Sequence, residues 1–381
     1  MQELLQITII LVSSFLAIEL SKKIGIPAVV GQLLVGIVIG PSFLNFVHQG
    51  EMVHFLSELG VILLMFLAGL EANLALLKKY LRPSLVVAVS GVLIPVALFY
   101  LYTQFLGYPT QISVFYGIVF AATSVSITVE VLQEYNKVKT DTGAVILGAA
   151  VADDILAVLL LSLFVSTTNG SGSSSQLIWQ MVLQVLFLFF LLLLVKYIVP
   201  AIYRFTEKMD YFEKDTFLAL ILCFSMSILA TKVGMSSVIG SFFAGLAIGQ
   251  TRKAEEITHE VAQFSYMFFI PIFFASIALP LQLNGIFEHV WLIIIFTVLA
   301  TLSKLIPCYY VARAFRFTKK ESLTIGGGMV SRGEMALIIV QIGLAEKLIS
   351  TDLYSILVLV VILSTIIAPF ILKISFHSEK P

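Results

Sequence analysis

Apolar residues run through the chain in long blocks, and polar residues collect in the short gaps between them. A helix needs about 20 mostly apolar residues to cross the hydrocarbon core of a bilayer. Thirteen blocks fit that pattern, near 3–21, 27–46, 55–74, 84–106, 111–133, 141–166, 178–203, 215–232, 236–250, 258–279, 287–312, 321–345 and 352–373. The pattern predicts an all-α integral membrane protein. Its least regular parts are the seam between the second and third blocks and the short ninth block. The loop Thr167–Gln176, with its Asn-Gly-Ser-Gly-Ser-Ser-Ser run, reads as a flexible connector. No stretch outside the blocks is expected to form a soluble domain.

The placement of Lys and Arg tests this count. Eighteen of the 23 follow odd-numbered blocks, only Lys232 and Lys347 follow even-numbered ones, and Lys196, Lys304 and Arg332 fall inside blocks. Short cytoplasmic loops carry the excess of basic residues. The N-terminus is therefore expected outside and the C-terminus in the cytoplasm. No basic residue precedes Lys22, so the first block is expected to remain as a span. Composition agrees: 59% of residues are hydrophobic, 12% are charged and mean hydropathy is +1.03. Net charge is zero, which gives no electrostatic reason to expect a nucleic-acid partner. Cys223 and Cys308 lie far apart in apolar blocks and read as buried thiols.

Leu20–Gly40 and Leu229–Gly249 match at 8 of 21 positions without gaps, including Gly25/Gly234, Gly31/Gly240, Gly36/Gly245 and Gly40/Gly249. The copies begin seven blocks apart, so they enter the membrane from opposite sides. Inverted repeats mark secondary transporters, whose sites lie near the midplane on interrupted helices. By the same spacing the fifth block pairs with the twelfth. The fifth carries Ala121-Ala-Thr-Ser-Val-Ser126, and the twelfth carries Gly326-Gly-Gly328 followed by Ser331-Arg-Gly-Glu334. Two breaks in matching places predict crossed half-helices. Close helix packing through small residues is the alternative.

Nine ionisable residues fall within or near the ends of blocks: Glu19, Glu71, Glu130, Asp153, Asp154, Lys196, Lys304, Arg332 and Glu334. Intramembrane charges are costly and usually serve function. Glu19, Glu130 and Lys196 sit near ends, where side chains reach the interface. Glu71 also sits near an end and is expected to partner Arg332. Asp153 and Asp154 lie mid-block, and neighbours on a helix point about 100° apart. One can bind an ion while the other pairs elsewhere, with Lys304 as the expected counter-charge. A static ion pair would account for Asp153 with Lys304 but not for Asp154. A buried carboxylate can hold either a proton or a hard cation, and competition for one site suffices for exchange. Asp154 is expected to carry the ion, with Asp153 coupled to it. Thr123, Ser124 and the freed carbonyls could add oxygen ligands. Cation arrival is expected to weaken the Asp153–Lys304 pair, so Lys304 could release a proton and the exchange would be electrogenic.

At these residues the chain resembles the bacterial sodium/proton antiporters of the monovalent cation:proton antiporter-2 family, close to its NapA-type branch. The resemblance rests on Gly69-Leu-Glu71, Ala122-Thr-Ser-Val125, Ala152-Asp-Asp154, Lys304 and Arg332-Gly-Glu334, in that order. It implies about thirteen helices in a homodimer embedded in the cell membrane. A dimerisation domain would comprise 1–80 and 213–282. A core ion-transport domain would comprise 84–166 and 286–375, joined to it by a linker helix at 178–206. The core would move as an elevator. The resemblance also implies that Asp154 binds transported Na⁺, that Asp153 pairs with Lys304, and that Glu71 or Glu334 neutralises Arg332. No cofactor is implied. Na⁺ is the expected substrate, with Li⁺ or K⁺ possible. A K⁺/H⁺ antiporter or K⁺ efflux carrier of the same fold is the alternative, although glutathione-gated relatives usually have Gln where Asp153 stands. An ion channel fits the inverted repeat less well. An enzyme is not expected, because His48, His54, His259, His289 and His377 lack metal-ligand spacing.

Overall fold

A computed structural model describes residues 2–169, 174–199, 201–202, 214–281, 286–345 and 347–377. Every regular element among the described residues is helical. In chain order they are α1 (Gln2–Ile24), α2 (Ala28–Ile39), α3 (Glu51–Glu71), the short α4 (Leu74–Lys79), α5 (Leu81–Phe105), α6 (Thr110–Ala121), α7 (Val125–Glu134), α8 (Asp141–Asn169) and α9 (Ser174–Leu193). They continue as α10 (Lys214–Lys232), α11 (Ser237–Ile248), α12 (Ala254–Phe264), α13 (Ile270–Ile277), α14 (Val290–Ala314), α15 (Lys319–Gly328), α16 (Glu334–Ala345) and α17 (Thr351–His377). All thirteen apolar blocks carry helix. Part of the expected Ser/Gly connector (170–173) and all of 203–213, which includes the end of the expected linker, lie outside the described residues.

Where helices depart from the blocks, local chemistry explains it. The second block was expected to reach residue 46, but α2 stops at Ile39. Pro41 lacks an N–H and pushes Gly40 out of helical geometry, to φ −75° and ψ −177°. The tenth block is divided by a π-turn at Ser265–Phe269. Pro271 follows at once in the first turn of α13, and the wider turn absorbs its missing donor. Asn73 separates α3 from α4 by accepting hydrogen bonds from the N–H groups of Ala75 and Leu76, at 2.9 and 3.1 Å.

The repeat is present in three dimensions. Gly25 and Gly234 end α1 and α10 with φ of +73° and +74°, a conformation that favours glycine. The same closing bonds follow: Ile26 N–H to Ser21 O at 3.0 Å, and Met235 N–H to Ala230 O at 2.9 Å. Gly31 brings α2 against Ala17 of α1, and Gly240 brings α11 against Met226 of α10. The next glycines cross to the other half. A Cβ on Gly36 would lie 2.1 Å from the carbonyl oxygen of Ala275 on α13, and one on Gly245 would lie 2.1 Å from that of Phe66 on α3. Each copy is thus clasped by the third helix of the opposite copy.

Two groups of helices result. α1–α3 pack with α10–α13, while α5–α8 pack with α14–α17. Large apolar side chains such as Leu5, Phe15, Phe105 and Trp291 point outward, as a lipid-facing surface requires. Cys223 and Cys308 are buried free thiols, as expected.

Because backbone blocks the space at Gly36 and Gly245, Gly36→Ala or Gly245→Ala should destabilise the protein by about 1–3 kcal/mol. Gly50→Ala, where nothing lies within 4 Å, should not. Thermal unfolding in detergent checks this, and equal midpoints for all three variants would contradict the clasped arrangement.

Candidate functional site

The site begins with two broken helices. α6 ends at Ala121, Ala122 turns extended (φ −61°, ψ 139°), and α7 begins after Ser124 (φ −98°, ψ 110°). α15 ends at Gly328 and α16 starts at Glu334. The two breaks face each other and satisfy each other's polar groups. Ser124 N–H donates to Ser331 O at 2.8 Å, and the Ser331 hydroxyl donates to Ser124 O at 2.6 Å. Thr128 donates to Gly328 O at 2.7 Å. A Cβ on Gly333 would lie 2.5 Å from Ser124 Oγ, so glycine permits the crossing. Non-helical backbone at membrane depth survives only with such internal partners.

Arg332 closes the crossing from within and is fully buried. Its Nε and Nη2 donate to Phe120 O at 3.2 and 3.0 Å, Nη2 also donates to Ala300 O at 2.7 Å, and Nη1 donates to Val330 O at 2.9 Å. This corrects the expected Glu71 partnership. The last carbonyls of a helix lack intrahelical donors and carry the negative end of its dipole. Arg332 takes those of α6 instead of a carboxylate, and it forms no ion pair among the described residues. Glu71 accepts from Gln133 Nε2 at 3.4 Å, on α7. The side chain of Glu334 lies outside the described residues.

α8 brings the aspartates to the crossing. Asp153 and Lys304 are both fully buried, with Lys304 Nζ 3.2 Å from Oδ1 and 3.4 Å from Oδ2. Lys304 also donates to the Thr123 hydroxyl. The hydroxyl and backbone N–H of Thr123 both lie in hydrogen-bonding range of Asp153. Thr123 therefore sits within the ion pair, while Ser124 sits within the crossing. Asp154 is buried at 5% exposure. One turn further along its face of α8, Val158 lines a cavity of about 350 Å³.

That cavity lies between the two helix groups. His54 and Glu58 of α3, Ser236 before α11, Ser276 of α13, and Met335 and Gln341 of α16 help to line it. These are positions on the lysine-poor side. On the lysine-rich side the groups touch. Glu134 accepts from Ala28 N–H at 3.1 Å, and Lys373 donates to Gly25 O. The joint also contains Tyr266, which donates to Gln133 Oε1 at 2.9 Å.

Of the charges expected at the interface, Glu19 is half-exposed beside Lys22, and Lys196 is exposed over the Tyr197 ring. Glu130 is the correction. It is 8% exposed, because α7 is a half-helix enclosed on all sides by other helices. Sequence reasoning missed Gln133 and Tyr266. Their signal was three acids (Glu71, Glu130, Glu134) that the fold draws to one joint.

Two acids and two bases are thus buried together at crossed half-helices, and interrupted helices with buried charge are the setting in which secondary transporters place their sites. The chain matches the model described as "Sodium/hydrogen exchanger, transmembrane" over residues 9–377, and it belongs to that family. It is 46% identical over 366 residues to a "Na(+)/H(+) antiporter" of Enterococcus hirae, covering 96% of each chain. It is 41% identical over 375 residues to the "Na(+)/H(+)-K(+) antiporter GerN" of Bacillus cereus, covering 98% of this chain and 96% of the relative. Its fold matches the sodium proton antiporter MjNhaP1 of Methanocaldococcus jannaschii with a TM-score of 0.69 and 17% identity, over 99% and 98% of the two chains.

Removing one partner of a buried pair strands the other. Lys304→Met should cost about 3–5 kcal/mol, and adding Asp153→Asn should restore most of it. Thermal unfolding of the single and double variants measures this, and a double variant no more stable than Lys304→Met would refute the pairing energetics.

Proposed function

We propose that the protein is a secondary antiporter that exchanges Na⁺ for H⁺ at Asp154, with Asp153 and Lys304 coupled to it. The observation that carries this reading is the position of Asp154. It lies beside a fully buried Asp153–Lys304 pair and on the helix face that leads to the cavity. A dehydrated alkali cation needs oxygen ligands and a compensating negative charge. A carboxylate here offers both, and it can hold a proton when the cation is absent. Each occupant excludes the other. Thr123 and Ser124 hold the crossing in register and lend oxygens at its edge.

Alternating access follows from the two helix groups. The transporting core is assigned to 84–166 and 286–375. The dimerisation part is assigned to 1–80 and 213–282, with 178–206 as linker, and the protein is proposed to act as a homodimer. The basic-residue bias places the lysine-rich face in the cytoplasm. The conformation described is then outward-facing, since its cavity lies on the other side. Sliding of the core would carry Asp154 from that cavity to the cytoplasmic face. Cation binding next to Asp153 weakens its hold on Lys304, which can release a proton and make the cycle electrogenic. The residues of the crossing favour the NapA-type branch.

K⁺ is the second reading for substrate. It is favoured by the 41% identity to a relative whose name includes K⁺. Li⁺ fits the same oxygen chemistry.

In proteoliposomes loaded with a pH dye, addition of Na⁺ should drive proton movement, and Asp154→Asn should abolish it. Separate additions of Li⁺ and K⁺ rank the cations, and an imposed membrane potential tests electrogenicity. Exchange retained by Asp154→Asn would refute the assignment.

A further inference from the structure

The crossed helices account for Asp153, Asp154, Lys304 and Arg332, but a second buried acid remains unused. Glu130 lies in the middle of α7, where that half-helix meets α3 and the π-turn between α12 and α13. It is more than nine-tenths buried, and its Oε2 has no hydrogen-bond partner. The charged groups that act on it are Glu134 and Glu71, both acids. Cations are near its neighbours instead: Lys139 acts on Glu71, and Lys22 and Lys373 act on Glu134.

Two side-chain donors of this joint, Tyr266 and Gln133, are already committed. Tyr266 has a single hydroxyl proton, which goes to Gln133 Oε1 at 2.9 Å and leaves none for Glu130. The Gln133 amide donates to Glu71 Oε2 at 3.4 Å. A phenol that has given away its proton can still accept one. The chain closes if Glu130 donates to Tyr266, Tyr266 to Gln133, and Gln133 to Glu71. That order requires the Glu130 carboxyl to carry its own proton.

We infer that Glu130 is a second proton-carrying residue, protonated while the lysine-rich face is closed and deprotonated when that face opens. The inference rests on the antiport reading for its consequence, because Glu130 belongs to the proposed core while Glu71 and Tyr266 belong to the proposed dimerisation part. Sliding of α7 past α3 and the π-turn pulls the chain apart. The carboxylic O–H bond then breaks, the proton passes to water at the opened face, and a hydrated carboxylate remains. Closure reverses the step. Opening of this face thereby becomes linked to proton concentration on that side, separately from occupancy at Asp154.

The test uses the full chain in lipid at neutral pH. Infrared spectroscopy should show a band from protonated carboxylic acid, and Glu130→Gln should remove one component of it. Tyr266→Phe, which deletes the acceptor, should shift that component. It also keeps the question open if Glu130→Gln fails to fold. A band unchanged in both variants would overturn the inference. In vesicles, the pH dependence of Na⁺-driven proton flux in Glu130→Gln should move by about tenfold in proton concentration relative to the parent. Superimposable profiles would also overturn it. Parent vesicles that exchange nothing would defeat the antiport reading, while the infrared result would still decide the protonation of Glu130.

Discussion

The centre of this protein depends on two interrupted helices completing each other's hydrogen bonds. In hydrocarbon an unsatisfied peptide group costs several kcal/mol, so neither break could persist alone. The paired bonds between Ser124 and Ser331 make one break the partner of the other. Arg332 then takes the exposed carbonyl end of α6 and ties it to α14 through Ala300. Lys304 stands one turn further along α14 and reaches across to Asp153 and Thr123. The ion pair and the crossing are therefore one connected unit. A change of charge at Asp153 is felt by the helix that holds the crossing together.

This arrangement separates two tasks that a simple ion pair would merge. Arg332 is committed to backbone carbonyls and serves as a fixed countercharge. Lys304 is committed to a titratable partner. Of these two buried cations, Lys304 is the one in direct contact with a carboxylate.

Much of this was legible in the sequence, for identifiable reasons. Apolar block length located the helices because the bilayer imposes one length on all of them. The glycine register revealed the inverted repeat because backbone contact at 2.1 Å tolerates no side chain, as at Gly36 and Gly245. Mid-block charges pointed to Asp153 and Lys304 because nothing else compensates such residues there. The partner of Arg332 was not legible, since its acceptors are carbonyls and every residue type carries one. Glu130 was misplaced for a related reason. Its distance from the end of a block suggested the interface, but a half-helix is enclosed on all sides, and linear position says little about its surroundings. The early end of α2 was available in Gly40-Pro41, and a purely hydropathic reading passed over it.

The mutual clasp of the two repeats bears on how the chain assembles. The seat for α2 is built from α13, which leaves the ribosome long after α2 has entered the bilayer. Until then the glycine face of α2 has only α1 to cover it, and the corresponding seat on α3 stands empty awaiting α11. Neither half can finish its own interior. Assembly of this membrane protein is thus held open until late in synthesis, when the second repeat arrives and both vacancies are filled together.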